Sequence, residues 1–295
     1  MERRQIEYFL AVIDHAGITA AATALHVSQP SLSHAIKLLE SDLGAKLFHR
    51  MPRGVRLTPA GEAFAGSARR VLRELDAGRA AVKAVSGLVA GRLDLVSLPG
   101  LLLDPLAGAV GRFRTRYPEV KVRIVPAERP QAVREAVRSG AAELGLTDHI
   151  DPGERDLAGD LVAEHEMVVA LPPGSTPPPG GVFPVSHLRD LDLVTGARGM
   201  VVDLLTQASA ETESELTPAV EIGLRASSLY LVLAGAGAAV LPRPLAELGR
   251  PHGVVIAPLD PPKRRQGYLM RRAAPLSPAA RAMHTLLLSG RPGPS

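Results

Sequence analysis

The sequence predicts an α/β protein that carries a small all-helical unit at its N-terminus, the two parts joined by one long helix. Three observations carry this. Apolar residues at helical spacing fill residues 3–43 and lead into a short basic hairpin. An apolar repeat stepping by four and three then runs from Phe64 to Val89, and beyond Gly91 β-rich runs alternate with helical ones.

Ile6, Phe9, Leu10 and Ile13 predict a first helix over about residues 3–15, with Gly17 as its end. The alanine-rich run Ile18–Leu25 predicts a second, short helix, broken by His26-Val27-Ser28. Ser28 is placed to cap a third, with Pro30 in its first turn and Gly44 as its stop after Leu43. Leu32, Ile36, Leu39 and Leu43 make one stripe on that helix. The face of the first helix, with Leu25, Leu32, Ile36 and Leu47, is the expected core of this unit.

The polar face of the third helix is uneven. Gln29, Ser31, Ser33, His34 and Lys37 are uncharged or basic, and acids appear only at Glu40 and Asp42. A helix whose first half enters a DNA major groove needs donors and no carboxylate near phosphate. Lys46, Arg50, Arg53 and Arg56 follow with no acid between Asp42 and Glu62. Pro52-Arg53-Gly54 reads as a turn between strands at Phe48 and Val55–Leu57, a basic wing suited to a narrow, negative minor groove. Ser28, Gln29, Pro30, Ser31, Ser33, His34, Lys37, Arg50 and Arg53 are the candidate DNA-binding residues.

The run of Ala21-Ala22, Leu25 to Ser33, Ile36, Leu39-Glu40, Leu43-Gly44, Leu47-Phe48, Arg50, Val55, Leu57-Thr58 and Ala60-Gly61 resembles the winged helix-turn-helix of the LysR-type transcriptional regulators. The likeness covers the first 60 or so residues nearly without gaps.

Thr58-Pro59-Ala60-Gly61-Glu62 has the form of a capped helix start. Phe64, Ala68, Val71, Leu75, Gly78, Val82, Val85 and Val89 then form a coiled-coil seam. Such a helix packs either on its own domain or against a second copy, and the resemblance implies the second, since in LysR-type regulators the linker helix pairs protomers. Pairing spaces two recognition helices by about 34–36 Å or a multiple, as two DNA half-sites require.

Strands are expected at Arg92–Ser97, Val120–Val125 and Glu143–Thr147, with helices at Pro105–Tyr117 and Gln131–Ser139 between them, a pattern that implies a parallel sheet with helices on both faces. A second such unit has strands at Met167–Leu171, Leu191–Thr195, Val220–Leu224, Ala238–Leu241 and Val254–Ala257, and helices near Met200–Ala210 and Ser227–Ala234. Strand Gly267–Arg271 and helix Ala279–Leu288 return to the first. Gly91-Arg92-Leu93, Arg112-Phe113 and Arg116 to Val120 resemble the opening of the LysR-type effector domain, which is similar to periplasmic binding proteins.

The expected division is a winged helix-turn-helix domain at 1–58, a linker helix at 59–90 and a two-lobed, periplasmic-binding-protein-like effector domain at 91–295. Lobe I comprises 91–163 and 269–295, and lobe II 164–268, with crossings near Asp160–Glu166 and Arg265–Met270. His165-Glu166 is expected to end a strand at its crossing. Strand ends and helix N-termini meet in the cleft, so the candidate effector-binding residues are Ser97, Leu98, Pro99, Gly100, Thr147, Asp148, Thr195, Gly196, Arg198 and Arg225. Two features depart from the family pattern: Leu98 and Gly100 stand where Ser or Thr is frequent, and Asp148 is expected to repel an anion. Arg198 or Arg225 is placed to pair with one.

The chain has 295 residues, a net charge of +4 and no cysteine or asparagine, which excludes disulfides, thiolate ligands and N-glycosylation. No basic-then-apolar leader or long uncharged apolar run is present, so a cytoplasmic protein is expected. Gly235-Ala236-Gly237 lies between a helix and a following strand, the reverse of a dinucleotide site, and Asp148-His149-Ile150-Asp151 lacks metal-ligand spacing. No cofactor, metal or catalytic residue is expected. The expected partners are double-stranded DNA, a small-molecule effector, a second copy through the linker helix with a homotetramer beyond it, and RNA polymerase, with no membrane. The alternatives are a solute-binding receptor of periplasmic-binding-protein type without gene-regulatory role, and an enzyme on the same scaffold.

Overall fold

The computed structural model describes residues 1–51, 54–85, 91–151, 153–195, 218–223 and 227–290, without the side chains of 50, 77 and 79–85. Three helices open the chain: α1 (Arg3–Asp14), α2 (Ile18–Ala24) and α3 (Gln29–Leu43). The turn between α2 and α3 is made by His26, held at φ 53°, and Ser28 then caps α3 by accepting the Ser31 N–H at 3.3 Å. Gly44, at φ 65°, ends the helix in the left-handed conformation where a side chain is strained.

Three expectations fail in this unit. The first helix ends at Asp14 before Ala16 reverses the chain, and Gly17 instead precedes α2 in an extended conformation. Leu25 and Leu43 are exposed, because each lies at a helix end that has turned past the core. The core is built from Ile6, Phe9, Val12, Ala21, Leu32, Ile36, Leu39, Leu47 and Phe48, with Phe9 against the rings of Phe48 and Phe64.

The wing is the antiparallel pair β1 (Phe48–Arg50) and β2 (Val55–Leu57). Helix α4 (Pro59–Val85) follows. Thr58 caps it by accepting the Gly61 N–H at 3.0 Å, and the Thr58 hydroxyl donates to the Lys46 carbonyl at 2.6 Å. The start of the predicted seam belongs to the N-terminal core: Ala68 is fully buried there and Phe64 packs against it. Val71 and Leu75 stay exposed. The helix also rests on the effector domain of its own chain, where Arg73 occupies the space beside Gly140. Burial lowers the Arg73 guanidinium to about 10, Arg272 adds to the effect, and Glu143 and Asp94 oppose it.

The remainder is built on a seven-stranded mixed sheet. Strands β3 (Gly91–Ser97), β4 (Val120–Pro126) and β5 (Leu144–Thr147) are parallel. Helices α5 (Pro99–Leu101), α6 (Ala107–Arg116) and α7 (Pro130–Ser139) connect them, α6 starting two residues later than expected. Two long antiparallel strands, β6 (Leu157–Leu171) and β11 (Val255–Arg272), then run through the molecule. They take in the strands expected at Met167–Leu171, Val254–Ala257 and Gly267–Arg271 and run unbroken through the segments expected as crossings near Asp160–Glu166 and Arg265–Met270. His165 and Glu166 lie inside β6 rather than at its end. The polar run was misleading because the ribbon carries polar residues where it passes between two cores.

At the far end β6 pairs with β10 (Ala239–Pro242), while β7 (Phe183–Pro184) adds to β11. Strands β8 (Val194–Thr195) and β9 (Val220–Glu221) are shorter than expected and form a parallel pair bridged to β10 through Leu193 and Ala238. Met167, Val169 and Leu171 face one lobe II core, and Val168 and Ala170 the other, so this end of β6 is apolar on both sides. Helices α8 (Ser228–Leu233) and α9 (Arg243–Glu247) complete it, and α10 (Pro278–Ser289), capped by Ser277, returns to the lobe I core with Ala280, Met283 and Leu287. The helix expected near Met200–Ala210 lies outside the described residues.

Candidate DNA interface and effector cleft

The first half of α3 stands clear of the core. Ser28, Gln29, Pro30, Ser31, His34 and Lys37 are exposed and Ser33 is half-buried. The small side chains are ordered among themselves: Ser28 Oγ is 2.7 Å from Ser31 Oγ, and Gln29 Nε2 donates to Ser33 Oγ at 3.0 Å. No acid lies in the first turn, so a phosphate approaching the positive helix end meets no like charge there. Arg50 is in β1 opposite Val55, and Arg53 lies outside the described residues.

One residue that holds this surface together was not legible as such. Glu40 reads as an acid on the solvent face of α3, yet it is 8% exposed. It accepts the Leu47 N–H at 2.9 Å and the Lys46 ammonium at 2.7 Å. Burial works against its charge, but these hydrogen bonds prevail and hold its carboxyl below the ordinary carboxylate value.

The lobe I candidates for the effector cleft lie at and just past the C-terminal ends of β3 and β5. Ser97 and Thr147 are buried, and their hydroxyls serve their own backbone: Ser97 donates to the Leu98 carbonyl, while Thr147 accepts the His149 N–H and donates to its carbonyl. Leu98 is buried, and Pro99 and Gly100 are half-buried at the start of α5. Thr195 is buried at the end of β8 on the other lobe. Gly196, Arg198 and Arg225 lie outside the described residues.

Asp148 does not stand as the uncompensated charge expected of it. Arg265, on β11, donates to Asp148 Oδ2 from Nε at 3.0 Å and from Nη2 at 2.5 Å. Its strand partner on β6 is His165, 5% exposed, whose Nε2 lies 2.6 Å from Asp104 Oδ2. Opposed residues of an antiparallel pair share a face, so the crossing ribbon presents two basic side chains to two lobe I acids. The sequence signal for this was the opposed polar positions of the two crossings.

A helix-turn-helix with a wing, joined by a helix to a two-lobed cleft, defines a DNA-binding regulator with an effector-binding domain. Residues 3–62 match the bacterial regulatory helix-turn-helix protein model of the lysR family, and residues 86–291 match the LysR substrate binding domain. The chain belongs to the LysR family of bacterial transcriptional regulators. It is 31% identical over 265 residues to the probable HTH-type transcriptional regulator LrrA of Synechococcus elongatus, covering 90% of this chain and 88% of that one. It is 36% identical over 176 residues to the HTH-type transcriptional regulator TfdT of Cupriavidus pinatubonensis, covering 60% of this chain and 77% of the relative. The same fold is found in full-length CbnR crystallised with its target DNA, with TM-score 0.68, 24% identity and coverage of 98% and 100%. It is also found in a full-length OxyR variant from Pseudomonas aeruginosa, with TM-score 0.73, 22% identity and coverage of 98% and 94%.

Proposed function

We propose that this chain binds operator DNA sequence-specifically through Ser28, Gln29, Pro30, Ser31, Ser33, His34 and Lys37, with Arg50 and Arg53 of the wing on the neighbouring backbone or minor groove. The observation that carries this is the acid-free, exposed first half of α3 beside a basic hairpin. A small effector enters the cleft beside Leu98, Pro99, Gly100, Asp148 and Thr195, with Ser97 and Thr147 shaping its wall, and Gly196, Arg198 and Arg225 are its remaining candidate contacts. It changes the angle between lobes and so the spacing of two DNA-binding units. Domains divide at 58 and 90, two copies pair through the linker helix, pairs associate into a tetramer, and RNA polymerase is the downstream partner. The protein acts in the cytoplasm without catalysing a reaction. Among the described residues no helix is long and apolar enough to cross a membrane.

A gel-shift titration on the DNA upstream of its own gene tests the reading. Salt-sensitive, sequence-dependent retardation is expected, and Gln29→Ala should cost about 1–3 kcal/mol at the base it reads. Equal affinity for unrelated DNA would refute it.

A further inference from the structure

We propose that the Asp148–Arg265 ion pair is the specificity-determining element of the cleft, and that the effector carries a compact anion, a carboxylate or its equivalent, which takes the place of Asp148 on Arg265. This rests on the cleft being the effector site. Arg265 lies just past the end of β5: Tyr268 pairs with Thr147, so residues earlier in β11 extend beyond that strand into the space where Asp148 and Gly100 lie. The guanidinium is half-sheltered, and its Nη1 sits over Gly100, where a Cβ would come within 3.3 Å of it. Gly100 therefore leaves room at the guanidinium that a serine or threonine would take.

The pairing is incomplete in a specific way. Both donating nitrogens of Arg265 converge on one oxygen of Asp148, whereas a guanidinium is best met by two oxygens side by side. Among the described residues Nη1 makes no hydrogen bond. An anion entering from the cleft can offer two oxygens to the fork. Exchange is favoured over addition, because Asp148 and the newcomer together would set two carboxylates on one cation, with Asp104 a third acid on the neighbouring His165. Asp148 therefore leaves, and its side chain, 25% exposed, is close enough to solvent to be hydrated when released. Its release unties the loop after β5 from the ribbon that joins the lobes. Binding thus acts directly on the connection whose geometry the regulator must change, and a neutral ligand has no means of doing so by this route.

The test uses the full-length chain titrated calorimetrically with acetate, hexanoate and phenylacetate, each against its uncharged amide. Asp148→Asn replaces the resident carboxylate with a weak competitor, so at least one acid should bind about tenfold tighter or better, with its amide unchanged. Arg265→Gln should abolish the preference for acid over amide. Asp148→Ser serves as a second release variant, and thermal melting without ligand confirms that each folds. A merely structural ion pair predicts weaker binding in both variants, never tighter binding in one. Acids that bind the wild-type, Asp148→Asn and Arg265→Gln chains alike overturn the exchange and leave the effector cleft intact. Acids and amides that all fail to bind both the wild-type and Asp148→Asn chains overturn the exchange and count against the cleft as well.

Discussion

Glu40 accepts the backbone N–H of Leu47 at 2.9 Å, which fastens the recognition helix to the strand that begins the wing. The chain of contacts continues from there. Leu47 accepts the Thr58 N–H at 3.0 Å, the Thr58 hydroxyl donates to the Lys46 carbonyl, and Thr58 caps α4 through Gly61. Recognition helix, wing and linker helix are therefore joined by one line of hydrogen bonds, and the linker cannot reorient without carrying the reading surface with it.

Glu40→Ala leaves the buried Leu47 N–H without its acceptor and is expected to cost about 1–3 kcal/mol of stability. Denaturant unfolding measures this, and a parallel loss of DNA affinity is expected because the wing loses its register with α3. The folded-state pKa of Glu40 is depressed, so its contribution is full above the ordinary carboxylate value and is lost as pH falls through the folded value. The stability difference between wild type and Glu40→Ala should accordingly narrow in acid. A gap that widens in acid would contradict the assignment.

Thr58→Ala removes both the cap on α4 and the bond to Lys46, with an expected loss of about 1–2 kcal/mol, while Thr58→Ser retains both bonds and should recover most of it. Gly61→Ala should be worse than either. A Cβ there would lie 2.2 Å from the Leu47 carbonyl, so the helix start would have to move off the wing. Thermal melting of the three variants gives the order.

Val71 and Leu75 are exposed apolar residues on α4, the arrangement expected of a surface that a second copy covers. Replacing both with Glu should lower the mass seen by sedimentation and weaken DNA binding, since two half-sites are then no longer read together. An unchanged mass would place the association elsewhere.

The N-terminal unit was legible almost residue by residue. Ser28, Gly44 and Thr58 act where local chemistry places them, and Leu32, Ile36 and Leu39 are buried as their spacing requires. Caps and stripes are decided within a few residues of chain, so a linear reading reaches them. Leu25 and Leu43 escaped it because helical spacing alone does not say where the core ends. The effector domain was legible as alternating strands and helices, yet only Met167–Leu171 of β6 was read as a strand, and β11 was divided into Val254–Ala257 and Gly267–Arg271. A strand that leaves one core and enters another becomes polar midway, and in a sequence that looks like an ending.

The N-terminal helices with their caps and the basic hairpin are written in short-range periodicity and residue type, and a linear reading suffices for them, while the family followed from the resemblance of the residues placed between Ala21 and Gly61. Three further facts came only with the folded arrangement: Glu40 is buried beneath the wing, Arg73 rests on the chain's own effector domain, and Asp148 is matched by Arg265 from 117 positions away. Those facts depend on which charges the fold brings within a few ångströms of each other. Side-chain electrostatics and burial are set by neighbours in space, and distance along the chain carries no record of them.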